Sequence, residues 1–314
     1  AGPAKPKAVS RLDPRVQAFV KLIADIRMME RAMREIGFDP AQMPLGKLKQ
    51  STILKGYEAL KEISVILGHG GLTSSSGGGG SSTSSGGGGG GTKSQRILEL
   101  SNTFYSIIPH ATVSRARPPL IDNVKILKDK IEMVEALGEI ELASKVLESG
   151  SRDESEVHPV DAKYDSLHSK ITPIQVGSEM HNFLSDYLTN THASTHNTYT
   201  LELEQAFEIE RDGEAAKFKP DVGNRQLLWH GSRLTNWCGI LSTGLRIAPP
   251  EAPVTGYMFG KGVYFADMSS KSANYCFTSR EEPVGVLTLC EVALGKQYQR
   301  FSAEYEAVGG SGVI

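Results

Sequence analysis

The chain has few cysteines, and their arrangement excludes two common uses of the residue. Cys238, Cys276 and Cys290 are the three that occur in 314 residues, and none has CxxC spacing. Such a set forms neither a zinc cluster nor an even number of disulfide partners. We therefore expect a reducing intracellular compartment. The sequence opens with Ala-Gly-Pro rather than Met, which indicates a fragment or a processed product.

Long apolar runs and an excess of one charge are also missing. No apolar run approaches the ~18 residues needed to cross a bilayer, so no membrane span is expected. The formal net charge is −2, from 34 basic and 36 acidic residues, and this balance predicts no global attraction to nucleic acid. Neither GxGxxG at a strand-to-helix turn nor GxxxxGK[ST] occurs, which disfavours a Rossmann fold and a P-loop.

The first half of the chain has the periodicity of amphipathic helices. Residues 1–10 predict a linker or disordered tail, and residues 11–147 predict an all-α bundle of five or six helices. Asp13 is the expected N-cap and Pro14 the first helical residue of a helix that continues to Gly37. Residues 68–92 are nearly pure Gly and Ser and predict a flexible insertion, since a longer loop adds little closure entropy.

The second half has a different pattern. Residues 148–160 predict a polar connector, and residues 161–314 predict an α+β domain built on antiparallel sheet. Three stretches favour strands: residues 200–211, 227–229 and 284–292, the last two expected to be buried. At this length the chain can hold two domains, each with its own core.

One dense block, residues 229–276, combines groups suited to a dinucleotide. It contains Trp-His-Gly-Ser-Arg at 229–233, a glycine-rich stretch at 256–262, and Lys-Ser-Ala-Asn-Tyr-Cys at 271–276. A glycine such as Gly231 lets a ligand approach the backbone closely. Tyr264 and Tyr275 can sandwich a planar cationic ring, each contact contributing ~0.5–2 kcal/mol. The residues alone therefore predict a ligand-binding α+β domain, suited to a nucleotide.

Ordinary structural explanations compete with this interpretation. A single histidine after a strand is more often structural than catalytic, Gly260 and Gly262 alone mark a hairpin, and tyrosines usually belong to the core. His192 and His196 are four residues apart, a spacing that would put both on one helix face and invites a metal site. No Glu follows the first His and no third ligand is near, so we predict no metal.

Together these motifs resemble the catalytic region of the poly(ADP-ribose) polymerases, the DNA-damage-responsive nuclear group. In the second half the resemblance is carried by residues 191–193, 228–233, 244–253, 256–268, 271–276 and 291–295, and in the first half by residues 43–48 and 108–110. It implies a multidomain α and α+β protein, in which an α-helical regulatory domain precedes an ADP-ribosyltransferase fold. That fold has a mixed, mainly antiparallel β-core.

The resemblance also implies the reaction. NAD+ is the substrate, no metal takes part, and the nicotinamide–ribose bond is cleaved with positive charge developing on the ribose, as in glycoside hydrolysis. ADP-ribose passes to protein side chains and then to growing poly(ADP-ribose). The implied acceptors are the protein itself and chromatin proteins in the nucleus. DNA breaks would be sensed by N-terminal regions outside this chain, and the helical domain would restrain NAD+ access until then.

Site residues carry over from the family motifs one by one. By resemblance His230 and Tyr264 are catalytic. The backbone of Gly231 and the hydroxyl of Ser272 hold the nicotinamide carboxamide, while Tyr275 stacks on the nicotinamide ring and Tyr264 lines its other side.

The other end of the donor has its own implied residues. Those at the adenosine-side ribose, the adenine and the phosphates are His230, Ser232, Asn236, Gly239 and Arg246. The loop from about residue 248 to residue 262, which contains Tyr257, is implied to cover the bound donor.

The family's third signature residue, a glutamate in a late C-terminal strand, has no counterpart here. Glu291 belongs to a different motif, and Glu304 and Glu306 follow it too soon. We therefore expect the catalytic domain to be C-terminally incomplete. One hypothesis is a piece of an active ADP-ribosyltransferase; another is a non-catalytic module that binds NAD+ or ADP-ribose. A purely structural helical adaptor would leave His230, Tyr264 and Tyr275 without a purpose.

From the missing glutamate we predict that the 314-residue chain by itself transfers little ADP-ribose. The physical reason is that no carboxylate is assigned to act next to the reacting ribose. Incorporation of labelled ADP-ribose into acid-insoluble product measures this directly. Robust polymer synthesis by this chain would contradict the expectation.

Overall fold

The computed structural model describes residues 8–68, 89–111, 117–149 and 157–303. Most of the predicted Gly/Ser insertion and the middle of the predicted connector lie outside the described residues, as do Glu304 and Glu306. The expectations for those segments therefore stay predictions.

The first half is helical. Its described α-helices are α1 (Pro14–Ile23), α2 (Ile26–Glu35), α3 (Gln50–Ile66), α4 (Gly89–Ile107) and α5 (Val124–Ser149). The carboxylate of Asp13 accepts a hydrogen bond from the amide of Arg15, and Pro14 opens α1, which confirms the predicted start. The prediction of a single helix continuing to Gly37 was wrong. Helix α1 ends before Ala24, and Asp25 caps a new helix because its carboxylate accepts a hydrogen bond from the Arg27 amide.

Apolar faces of these helices meet in one core. Helix α3 packs against both α4 and α5, and the core there contains fully buried side chains, among them Leu60, Phe104, Ile108 and Leu137. Helix α3 comes close to its neighbours at Gly56, where a Cβ would lie 3.2 Å from Cγ1 of Ile108. The apolar residues that recur at helical spacing in the sequence therefore form the buried core of this half.

The second half alternates short helices and strands. Its described helices are α6 (Pro159–Asp165), α7 (Glu179–Asn190), α8 (Glu214–Lys217), α9 (Trp237–Thr243) and α10 (Ser269–Ala273). Its described strands are β1 (Ser169–Pro173), β2 (Phe207–Arg211), β3 (Arg225–Ser232) and β4 (Val286–Ala293).

The described strands form two antiparallel pairs. β1 pairs with β2, and β3 pairs with β4 over a register in which Arg225 faces Ala293 and Ser232 faces Val286. An isolated bridge joins Trp229 of β3 to Ala266. The antiparallel pattern expected from the sequence is therefore confirmed in the described part of the chain.

Two details of the strand predictions were wrong. Only residues 207–211 of the predicted 200–211 strand form a strand. The strands expected to be buried are partly open: Leu227 is 39% exposed, and Val284 precedes β4 and is 40% exposed. A two-stranded sheet covers little of its own faces, so apolar residues in it remain accessible to water.

The two halves share buried surface. The core of the helical half continues into α9 through Trp237, Cys238 and Leu241. The Cys238 thiol, 0% exposed, donates to the backbone carbonyl of Ile23 at 3.3 Å. Burial raises the pKa of Cys238 to about 12, so this cysteine behaves as a small apolar side chain. Among the described helices none is long and apolar enough to cross a membrane.

A matched pair of substitutions tests this core. Leu60→Ala removes a side chain that is 0% exposed, and we expect a loss of about 2–5 kcal/mol in the free energy of unfolding. Leu98→Ala makes the same change on α4 at a side chain that is 44% exposed, and we expect a change within about 0.5 kcal/mol. Urea unfolding measures both; equal losses would show that the burial assigned to Leu60 is wrong.

Candidate functional site

The geometry of the site starts at Gly231 in β3. A Cβ at this position would lie 2.0 Å from the backbone oxygen of Ser272 and 2.7 Å from its carbonyl carbon. Helix α10 therefore rests directly on the strand at a point that only glycine permits. The buried hydroxyl of Ser272 donates to the carbonyl of Trp229 at 2.9 Å, which closes the contact.

His230 lies next to this contact and is held in one orientation. Its Nδ1 is 2.9 Å from the carbonyl oxygen of Tyr264, and its ring meets the Phe265 ring edge-on at 5.8 Å. Burial lowers the pKa of His230, while the Tyr264 carbonyl opposes the shift, so the ring is neutral at pH 7. A carbonyl only accepts, so Nδ1 carries the hydrogen and Nε2 is left as an acceptor.

The Tyr264 side chain is hydrogen-bonded to the loop that precedes it. Its hydroxyl donates to the Gly260 carbonyl at 2.5 Å and accepts from the Phe259 amide at 3.2 Å. The loop is tied down at its start as well, because Lys261 Nζ donates to the carbonyl of Pro249 at 2.6 Å. With 42% of its surface exposed, Tyr264 forms an open wall rather than part of the core.

Tyr275 forms a second aromatic wall. It lies in a 3-10 turn, Asn274–Cys276, that directly follows α10. The hydroxyl of Tyr199 lies 2.8 Å from both the Ser270 carbonyl and Oδ1 of Asn274. These contacts fix the turn while Tyr275 stays 58% exposed.

The residues predicted for the adenosine and phosphate end are near the helical half. Asn236 donates to the Ser232 hydroxyl at 2.8 Å. Gly239 is buried, and a Cβ on it would lie 2.8 Å from Cδ2 of Leu142 in α5. The guanidinium of Arg246 binds the Glu139 carboxylate at 2.7 Å. In this structure, therefore, α5 covers that end of the predicted site.

An acidic face of α5, made of Glu132, Glu135 and Glu139, was missed by sequence reasoning. Desolvation by the surrounding protein, with help from its two acidic neighbours, raises the pKa of Glu135 to about 7. Burial also raises the pKa of Glu139, against the pull of Arg246. The signal was available, because glutamates spaced by three and four residues share one helix face.

Tyr257 faces this acidic surface. Its hydroxyl is buried and lies near the carboxylate of Glu135. Burial raises the pKa of Tyr257, and the nearby carboxylate of Glu135 raises it further. The predicted donor-covering loop is thus in contact with the helical half through Tyr257.

The histidine pair that invited a metal site has other partners. Helix α7 ends at Asn190, so His192 and His196 do not share a helix face as their spacing predicted. Nε2 of His192 lies 2.9 Å from the backbone oxygen of His196, and Nδ1 of His196 lies 2.9 Å from the Ser270 hydroxyl. In the described ranges no group of three or more His, Cys, Asp or Glu side chains could hold a metal ion.

Comparisons with known proteins match both halves of the chain. Residues 10–164 match the family model of the poly(ADP-ribose) polymerase regulatory domain, and residues 178–311 match that of the poly(ADP-ribose) polymerase catalytic domain.

Individual relatives extend along nearly all of the chain. It is similar to poly(ADP-ribose) polymerase 2-A of Oryza sativa subsp. japonica, 48% identical over 95% of this chain and 42% of the relative. Poly(ADP-ribose) polymerase 2 of Homo sapiens is 46% identical over 98% of this chain and 48% of the relative. Poly(ADP-ribose) polymerase 1 of Gallus gallus is 44% identical over 94% of this chain and 27% of the relative. The chain thus spans less than half the length of these relatives.

The contact between β3 and α10 can be tested with two glycines. Gly231→Ala puts a methyl group against the backbone of Ser272, and we expect it to lower the free energy of unfolding by about 1–3 kcal/mol or more. Gly262→Ala is the control, since a Cβ on Gly262 would have nothing within 4 Å. Thermal and urea unfolding compare the two. Equal tolerance of both alanines would contradict the close approach.

Proposed function

This chain belongs to the poly(ADP-ribose) polymerase family, and from that premise we propose that it serves NAD+-dependent ADP-ribosyl transfer. The reaction would cleave the nicotinamide–ribose bond of NAD+ and pass ADP-ribose to protein side chains and to growing poly(ADP-ribose). The observation that carries the proposal is the joint placement of His230, Gly231, Tyr264 and Tyr275 around the contact of β3 with α10.

The nicotinamide end would be built from two tyrosines and a strand. Both rings are partly exposed, and the phenol of Tyr275 is near enough to contribute to the raised pKa of Tyr264, whose main cause is burial. A planar cation between them would gain from both π-faces. The backbone of Gly231 would hold the carboxamide, and Ser272 would offer its hydroxyl after exchanging its present bond to Trp229.

The ribose end would depend on the neutral imidazole of His230. With Nδ1 donating to Tyr264, Nε2 is an acceptor suited to a ribose hydroxyl. Ser232 and Asn236, already hydrogen-bonded to each other, would add further polar groups there. Gly239 and Arg246 would line the adenine and phosphate end once α5 no longer occupies their surfaces.

Catalysis would consist largely of orientation. Loss of neutral nicotinamide from NAD+ leaves positive charge on the ribose. The barrier to this step falls when the protein holds the nicotinamide and the ribose in a fixed geometry. His230 and Tyr264 would fix the ribose and the nicotinamide respectively, and neither needs to exchange a proton for this role. NAD+ is consumed as a substrate, and no metal enters the proposal.

The cellular setting follows from the family. We propose that residues 11–147 act as the regulatory domain and residues from 161 onward as the catalytic domain, with residues 148–160 as their connector. The acceptors would be the protein itself and chromatin proteins, and the setting would be the DNA-damage response in the nucleus. The cover that α5 places over Gly239 and Arg246 supports a restraining role for the helical half.

Nicotinamide binding tests the proposed site in this chain. Tyr275→Ala removes the stacking ring and the apolar surface it covers, and we expect nicotinamide affinity to fall by about 5- to 30-fold. Tyr275→Phe keeps the ring and should stay within about threefold of the wild type. Isothermal titration calorimetry measures the dissociation constants.

Tyr298→Ala provides the matched control, because Tyr298 is an exposed tyrosine beside Arg300, beyond the end of β4. Its nicotinamide affinity should equal that of the wild type. A wild-type chain that does not bind nicotinamide, or a Tyr275→Ala variant that binds it as well as the wild type does, would overturn the assignment.

A further inference from the structure

Arg233 makes an unusually close contact just after the His-Gly-Ser run. Its guanidinium carbon lies 3.4 Å from the centre of the Phe277 ring, so the planar cation is stacked face to face on the aromatic ring. Phe277 is otherwise 58% exposed. The contact therefore joins the end of β3 to the turn that carries Tyr275, two residues earlier in the chain.

The backbone of Phe277 is in a conformation that large L-residues rarely adopt. Its φ is +52° and its ψ is +40°, in the left-handed region. Such a residue persists only where its surroundings hold it. The conformation turns the chain sharply directly after Cys276 and so determines how the preceding 3-10 turn is presented.

The other side of this turn is packed against the start of β4. A Cβ on Gly285 would lie 3.1 Å from both Cβ of Cys276 and Cγ2 of Thr278. The thiol of Cys276 donates to the carbonyl of Val286 at 3.2 Å. The start of β4 therefore holds the backbone of the turn, and the stacked guanidinium of Arg233 holds the exposed ring of Phe277.

From this geometry we propose that Arg233 is a positioning residue for nicotinamide. By stacking on Phe277 it holds the 274–277 turn in the left-handed conformation that presents the Tyr275 ring to the bound heterocycle. This inference rests on the proposed function. It assigns Arg233 no contact with the substrate, so its effect is transmitted through Phe277 to Tyr275.

The helical half helps to hold the guanidinium in place. Burial lowers the pKa of Arg233, and the carboxylates of Glu35 in α2 and Glu132 in α5 oppose this shift. A second link, an ion pair between Arg31 of α2 and Glu282, joins the helical half to the loop after Phe277. Carboxylates from α2 and α5 therefore lie close enough to the guanidinium of Arg233 to stabilise its charge.

The test uses the full chain and nicotinamide as the probe. Arg233→Lys keeps the charge but loses the planar stack, and we expect nicotinamide affinity to fall by about 5- to 10-fold. Arg280→Lys makes the same change at an exposed arginine of the neighbouring loop and should leave the affinity unchanged. Calorimetry gives the affinities, and unfolding midpoints confirm that each variant is folded.

A double variant separates positioning from a general structural effect. Asparagine adopts the left-handed conformation far more readily than phenylalanine. In a Phe277→Asn background the turn no longer needs the stack, so Arg233→Lys should cost less than about twofold in nicotinamide affinity there. A merely structural role for Arg233 would give the same loss in both backgrounds.

The outcomes are distinct. A loss of about 5- to 10-fold in the Arg233→Lys variant that disappears in the Phe277→Asn background supports the proposal. Unchanged nicotinamide affinity, equal loss in both backgrounds, or an unfolded Arg233→Lys variant would overturn it. If the wild-type chain fails to bind nicotinamide, the proposed function fails first, and this inference falls with it.

Discussion

The close approach of α10 to β3 at Gly231 is the constraint on which the site depends. A side chain there would overlap the backbone of Ser272, so the absence of a Cβ allows α10 to rest directly on β3. That contact brings Tyr275, at the end of the helix, near His230 in the strand. It also lets Ser272 satisfy the Trp229 carbonyl within the strand. The remaining groups of the site are arranged around this one point.

The helical half is part of the site's environment rather than a separate body beside it. Its core runs into α9, and α5 covers the surfaces of Gly239 and Arg246. Burial raises the pKa of both Glu135 and Glu139 on that face, and the neighbouring carboxylates raise the pKa of Glu135 further. Movement of α5 would expose Gly239 and Arg246, the residues proposed for the adenosine end of the donor site.

Local signals were predictable where local physics decides. Asp13 and Pro14 define the start of α1 because capping depends on neighbouring residues alone. The break before α2 was missed, since the apolar stripe continues across Ala24 while the cap at Asp25 interrupts the helix. Strand positions were largely predictable, but strand burial was not: Leu227 looks like a core residue in sequence, and its exposure depends on how many strands flank β3.

The sequence by itself determined the family, the helical first half, and the identity of the candidate donor-site residues, because motifs such as Trp-His-Gly-Ser-Arg are continuous along the chain. The tertiary structure alone decided that Arg233 stacks on Phe277 and that Arg246 pairs with Glu139. It also decided that His192 contacts the backbone of His196 while His196 contacts the hydroxyl of Ser270. Each of these contacts, except that between His192 and His196, joins residues at least 44 positions apart in the chain. Periodicity and motif spacing report neighbours in sequence, whereas stacking and ion pairing depend on which surfaces folding brings together.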